Sequence, residues 1–205
     1  VLLATTVERY RLAAAPKGLS AERLAKTEGT LAGLLKLDDG GLATLHDRLA
    51  SEKAYVVLAR GIKPELADRI RQASRDKLVF GISLESEPER VYPQAGGGPD
   101  SSLAAHLLGF VNRENAGQYG VEQFYQDTLA GSPRVIIARR DVNGRSLPET
   151  AEVVQAGEVG EDLRLTIDAG LQLAVERELL NTWIVDEAKS VSAVVMDPYT
   201  GEVYA

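Results

Sequence analysis

The chain has 205 residues, 44% hydrophobic and 26% charged, the composition of a folded protein with one sizeable core or two modest ones. Its net charge of −7 argues against nucleic acid or an anionic membrane surface as the main partner, since both select a basic face. The absence of cysteine excludes disulfides and thiolate metal sites, and His46 and His106 stand far apart without carboxylates arranged around them, so neither metal nor cofactor is expected.

Residues 7–14, VERYRLAA, alternate as a strand does, and Pro16 and Gly18 end it. Ser20 is placed to cap a helix over 21–35, where Leu24, Leu31, Leu34 and Leu35 recur at helical spacing. The run Asp38-Asp39-Gly40-Gly41 reads as a turn before a short helix at 42–49; it lacks the spaced ligands and distal Glu of a calcium loop. Residues 54–59 read as a buried strand, Pro64 opens a helix over 65–74, and 78–84 is a further strand.

Acidic Glu85, Glu87 and Glu89 lead into RVYP at 90–93 and then a Gly- and Pro-rich loop at 95–100. Asp100 or Ser101 can cap a helix holding Leu103, Leu107, Leu108 and Phe110, and a second helix is expected over 119–129, with Gly117 and Gly120 bracketing a tight turn between them. A branched stretch at 134–142 runs into Asn143-Gly144, a hairpin signal whose return strand reaches Leu147. Arg134, Arg139, Arg140 and Arg145 read as the solvated face of that strand pair. Asp168 caps a long helix from 169 to about 186, apolar on more than one face. Residues 192–196 form a strand, 197–201 a turn, and 202–205 a returning strand cut short, which together with the missing initiator Met suggests a piece of a longer protein. No apolar run approaches the ~18 residues that a membrane span needs, so no membrane insertion is expected of this segment.

Candidates for chemistry are few. Ser74-Arg75-Asp76-Lys77 is an SxxK, the spacing that sets a lysine one helical turn from a nucleophilic serine. Ser74 nevertheless falls at a helix end, and the only KTG echo, Lys26-Thr27-Glu28-Gly29, carries an extra residue and lies upstream. Glu122, among Gly120, Val121 and Phe124 at a helix entrance, reads as a capping carboxylate paired with Arg90 rather than a catalyst. Gly96-Gly97-Gly98 lacks the Lys-Ser or Lys-Thr of a phosphate loop, and Trp183 and the tyrosines read as core or interface.

Six segments in order resemble the class B penicillin-binding proteins. They are RVYP at 90–93 (Arg90, Tyr92, Pro93), AAHLLGFV at 104–111 (His106, Gly109), GQYGVEQFYQDTLAG at 117–131 (Gly117, Gly120, Glu122, Gly131), Asn143-Gly144, LTIDAGLQLAVE at 165–176 (Thr166, Asp168, Gln172), and VVMDPYTGEVYA at 194–205 (Asp197, Pro198, Thr200, Gly201). The opening VLLATTVERYRLAAAP resembles the stretch just after that family's membrane anchor. Ser132-Pro133, where the family often has a further glycine, and the loop at 95–100, a local insertion, are departures.

The resemblance implies a non-catalytic pedestal, the dimerisation domain, on the extracytoplasmic face of the cytoplasmic membrane, carrying a peptidoglycan D,D-transpeptidase. It implies an elongated, multi-lobed α+β fold with mixed or antiparallel sheets and flanking helices. Residues 1–84 would be a small α/β lobe, 85–189 the remainder of the pedestal, and 190–205 the first strands of the transpeptidase, whose acyl-serine motif would follow residue 205. Implied partners are a membrane-embedded glycan polymerase and a second copy of the chain, with no nucleic acid. Two rival readings stand beside it: an autonomous acyl-serine hydrolase using Ser74 and Lys77, and an extracytoplasmic ligand-binding sensor with an apolar pocket lined by the loop at 95–100.

Overall fold

In the computed structural model, which describes residues 1–51, 53–132, 135–137 and 152–205, the first helices start at side-chain caps. Ser20 Oγ accepts from the Arg23 amide at 3.4 Å ahead of α1 (Ala21–Leu35), and Asp38 Oδ1 accepts from the Gly41 amide at 2.8 Å ahead of α2 (Asp39–Leu49). The run at 38–41 therefore opens a helix instead of forming a separate turn, because the Asp38 carboxylate satisfies an amide that the first helical turn leaves unpaired. In α3 (Pro64–Arg75), Pro64 sits in the first turn and Ala67, Ile70 and Ala73 fall on one buried face.

The chain forms two compact units, Thr5–Val91 and Val1–Ala4 with Tyr92–Ala205. In the first, the strand expected over 7–14 is divided. β1 (Thr5–Val7) pairs with β5 (Glu89–Val91), while β2 (Tyr10–Ala14) is the middle strand of an antiparallel sheet with β3 (Val56–Ile62) and β4 (Ile82–Ser86) on its flanks. The change of sheet falls at Glu8-Arg9, where the Arg9 carbonyl accepts from the Glu87 amide at 2.9 Å. Leu78 to Phe80 do not join the sheet, contrary to the strand expected over 78–84. Val79 is 2% exposed and plugs the core, and Gly81, at φ +61°, turns the chain into β4. The core gathers Leu12, Leu31, Leu45, Leu49, Leu58, Ala67, Ile70 and Val79 from the sheet, the three helices and that plug.

A charged network also lies on this sheet. Arg11 on β2 and Glu85 on β4 are cross-strand partners, with Nη2 to Oε2 at 2.5 Å, and the Tyr55 hydroxyl donates to the same oxygen at 3.1 Å. Arg60 and Arg11 both reach Glu87. Burial pushes the Glu85 carboxyl up, but hydrogen bonds from Arg11 and Tyr55 and the Arg11 charge outweigh it and hold Glu85 below the usual carboxylate range.

In the second unit the helices expected at 101–110 and 119–129 are shorter: α4 (Ala105–Leu108), α5 (Gly120–Phe124) and α6 (Gln126–Ala130). Neither Asp100 nor Ser101 caps α4; Ala104 stands at its start in a left-handed conformation, and Gly109 ends it. Tyr125 interrupts the helical path between α5 and α6. The two-residue strands β6 (Phe110–Val111) and β7 (Gly117–Gln118) pair antiparallel, as do β8 (Val135–Ile137) and β9 (Glu152–Gln155). Asn143-Gly144, Leu147 and Arg134, Arg139, Arg140 and Arg145 lie outside the described residues.

Asp168 caps α7 (Ala169–Val185) by accepting from the Leu171 amide at 2.8 Å. The segments expected as strands at 192–196 and 202–205 pair antiparallel around the Met196–Val203 bridge, with the Val195 amide bonding to the Ala205 carbonyl at 2.9 Å and the Tyr204 amide to the Val195 carbonyl at 2.8 Å. The returning segment also bonds to the stretch before α7: the Val203 carbonyl accepts from the Thr166 hydroxyl at 2.6 Å, and the Tyr204 carbonyl from the Asp168 amide at 3.0 Å. The fold is α+β, and the described strand pairs are antiparallel. No helix among the described residues is long and apolar enough to cross a membrane.

Thr27 is 0% exposed; its hydroxyl donates to the Arg23 carbonyl at 2.8 Å and accepts from the Phe80 amide at 2.9 Å. Thr27→Val preserves shape but removes that acceptor, and urea denaturation is expected to show a loss of about 1–3 kcal/mol. Because the Glu85 pKa is depressed on folding, its stabilising contribution is present above the unfolded carboxylate pKa and disappears as pH falls through the folded value. The unfolding midpoint should thus drop less on acidification in Glu85→Gln than in the parent chain, which parallel melts at neutral and acidic pH would measure.

Candidate functional site

Tyr92, the aromatic residue of RVYP, places its hydroxyl between two partners: it accepts from the Val111 amide at 3.1 Å and donates to Glu122 Oε1 at 3.4 Å. Glu122 lies in the first turn of α5 and is 3% exposed. One side chain thus joins the RVYP segment to β6 and α5. Removing a carboxylate from water is costly unless it is hydrogen-bonded, so this contact also helps to keep Glu122 inside.

The glycines bring the backbones of the same elements into direct contact. Gly109, at φ +75°, lies so near the β7–α5 corner that a Cβ there would stand 2.2 Å from the Tyr119 carbonyl oxygen. Reciprocally, a Cβ on Gly120, at φ +51°, would stand 2.1 Å from the Leu107 carbonyl oxygen. Both the dihedral and the space demand glycine. Buried Gly117 donates its amide to Gln126 Oε1 at 2.5 Å, and Gln126 Nε2 returns to the Asn115 carbonyl at 3.0 Å. Asn112 Oδ1 accepts from the Glu114 and Ala116 amides, each at 3.0 Å, and so shapes the β6–β7 loop. Tyr119 takes φ +62° and ψ 165°, a region that strains any residue with a side chain, and Gln123 Oε1 receives its amide at 3.1 Å.

Tyr92, Gly109, Gly117, Gly120 and Glu122, five of the sequence candidates, therefore meet in one joint. Thr166, Asp168, Gln172 and the Asp197 turn belong to a second group at the start of α7. Gln172 Nε2 donates to Glu176 Oε1 at 2.9 Å, and Asp197 Oδ1 accepts from the Tyr199 and Thr200 amides at 2.7 and 3.3 Å. Pro198, Thr200 and Gly201 are exposed in that turn, and the Thr200 hydroxyl accepts from the Glu202 amide at 3.2 Å. Arg90 on β5 donates to Thr6 Oγ1 at 3.3 Å, Pro93 and His106 are exposed, and Gly131 ends α6 at φ +62°.

Asn112, Gln123, Gln126 and Glu176 are not among the sequence candidates. An Asn ahead of the short Arg-Glu-Asn turn is the usual signal for Asn112; the long amides and Glu176 act through tertiary contacts that spacing does not encode.

Ser74 and Lys77 do not form an acyl-serine pair. Ser74 is exposed in the last turn of α3, and Lys77 lies past the helix end at φ +55°, so the lysine is not stacked one helical turn above the serine. Among the described residues no three His, Asp or Glu side chains converge as a metal would require. The loop at 95–100 is held down on α7, where the Gly97 amide donates to Glu176.

A model of the penicillin-binding protein dimerisation domain matches residues 1–165. The chain is 36% identical over 151 residues to peptidoglycan D,D-transpeptidase FtsI of Escherichia coli, covering 74% of this chain and 24% of the relative. It is 28% identical over 178 residues to stage V sporulation protein D of Bacillus subtilis, 87% of this chain and 26% of the relative. It thus spans about a quarter of the length of these relatives. Penicillin-binding protein 2X of Streptococcus thermophilus shares the fold with a TM-score of 0.69 at 20% identity, covering 98% of this chain and 32% of that one.

Tyr92→Phe removes the acceptor for the Val111 amide and one donor to Glu122. Thermal or urea unfolding is expected to register a loss of about 1–3 kcal/mol; an unchanged midpoint would show that the hydroxyl does not hold the joint.

Proposed function

We propose, since the chain belongs to the class B penicillin-binding proteins through their dimerisation domain, that it works as a non-catalytic pedestal which positions a peptidoglycan D,D-transpeptidase and offers surfaces to other cell-wall synthesis proteins. The observation that carries this reading is the use to which the motif residues are put. Tyr92, Gly109, Gly120 and Glu122 are engaged with one another's segments, not arranged around a cavity with a nucleophile and a base. Such an arrangement fixes positions and leaves the chemistry to another domain.

Support for protein contacts comes from the aromatic side chains that the joint leaves in solvent. Phe110 is 48% exposed, Tyr119 70% and Phe124 80%, and the rings of Phe110 and Tyr119 stand 6.2 Å apart. A membrane-embedded glycan polymerase and a second copy of the chain are the partners this reading assigns. PBP2 of Helicobacter pylori, which has the same fold at a TM-score of 0.60 and 19% identity, forms a complex with MreC. The working site would be the extracytoplasmic face of the cytoplasmic membrane, with the anchor and the transpeptidase supplied by the parent protein.

A fluorescent penicillin separates this from the acyl-serine alternative. The 205-residue chain should remain unlabelled, and Ser74→Ala should behave identically. Stoichiometric covalent labelling that Ser74→Ala abolishes would replace the pedestal with an enzyme.

A further inference from the structure

Helix α7 has no buried residue, and Trp183, Ile184 and Val185 near its end are 51%, 61% and 70% exposed. Leu173, Val175, Leu179 and Leu180 are half-buried, so apolar cover on this helix is partial throughout. A polar contact is far better defined. Glu176 Oε2 accepts from the Gly97 amide at 2.7 Å, Oε1 accepts from the Ala104 amide at 2.7 Å, and Gln172, one turn earlier, donates to Oε1 at 2.9 Å. Amides on a carboxylate at such distances are charge-assisted hydrogen bonds, the stronger kind.

One amide, that of Gly97, lies within a closed loop, and the other, that of Ala104, directly follows it. The Leu103 amide bonds to the Gln94 carbonyl at 2.9 Å, the Gly96 amide to the Ser101 carbonyl at 2.8 Å, and Ser101 Oγ receives the Gly98 amide at 3.1 Å. The loop rests directly on the helix backbone: a Cβ on Gly97 would stand 2.7 Å from the Arg177 nitrogen and from the Glu176 carbonyl carbon. At the other end Ala104 takes φ +56°, a conformation that a non-glycine residue adopts at a cost, and in it the Ala104 amide reaches the carboxylate.

We propose that the amides of Gly97 and Ala104 form a carboxylate-binding cradle whose ligand is Glu176, and that this latch, rather than apolar packing, docks the glycine-rich loop onto α7. The cradle is selective for a carboxylate because its two donors reach one oxygen each. It leaves α7 releasable, since breaking one side chain's contacts removes the main directional tie between helix and loop. This inference does not depend on the pedestal reading and would hold for any role of the chain.

The test is amide hydrogen exchange on the 205-residue chain, read residue by residue. In Glu176→Ala the Gly97 and Ala104 amides are expected to exchange about ten-fold faster or more, with α7 following and the amides of Thr5–Val91 unchanged. Formate should restore protection saturably, whereas chloride at equal ionic strength should not, because only formate presents two oxygens to the two donors. Gly97→Ala, which keeps the carboxylate but forces loop and helix apart, should produce the same acceleration at Ala104. Should Glu176→Ala prevent folding, Glu176→Gln serves, retaining one acceptor oxygen and hence protection at one of the two amides. Parent rates at both amides in the Glu176 variant, or equal protection by chloride and formate, would overturn the proposal.

Discussion

A tyrosine hydroxyl set between a backbone amide and a buried carboxylate is the contact on which the second unit turns. Tyr92 can occupy that place because the backbones around it approach more closely than side chains permit, at Gly109 and Gly120. The dependence is mutual. Without the glycines β6 and α5 could not converge on one hydroxyl, and without the hydroxyl the close backbone contact would lose a polar partner on each side. Buried amides and carboxylates must find partners, so the joint has little freedom to slide while those partners stay in place.

The two units are stabilised by different physics. In Thr5–Val91, leucine, isoleucine and valine from three helices and a sheet form a continuous apolar core, where each fully buried side chain contributes roughly 1.5–3 kcal/mol. Among the described residues of the second unit, the buried hydrophobics are Leu103, Ala104 and Leu108. Its short elements instead rely on hydrogen bonds, each worth about 0.5–1.5 kcal/mol net, or about 1.5–3 when a charge takes part. A unit held that way is well specified in geometry yet shallow in energy.

Local chemistry made much of this legible in the sequence. The helix over 21–35 and its Ser20 cap, Pro64 at the start of α3 and Asp168 ahead of α7 all follow from side chains acting within one turn of themselves. The departures occur where a distant partner overrode local pattern. Leu78 to Phe80 have strand composition, but Thr27 on α1 captures the Phe80 amide and the core takes Val79. The apolar spacing after Asp100 pointed to a helix holding Leu103 to Phe110, whereas positive φ at Ala104 and Gly109 leaves four helical residues. In the site, the glycine pattern marked the joint as specified without saying what met there. Asn112 acts two and four positions ahead, within its own turn, whereas Gln126 and Glu176 reach backbone groups nine to 79 positions away, which no periodicity reports.

Three carboxylates of this acidic chain, Glu85, Glu122 and Glu176, are committed to contacts within the fold. A general acid or base requires an oxygen that faces substrate and a proton that can leave. Glu85 is engaged by Arg11 and Tyr55, Glu122 by Tyr92, and Glu176 by two backbone amides and a glutamine. Each accepts hydrogen bonds that orient strands, helices or loops. The negative charge thus acts internally as a geometric constraint. In the joint, that constraint holds β6, β7 and α5 in register.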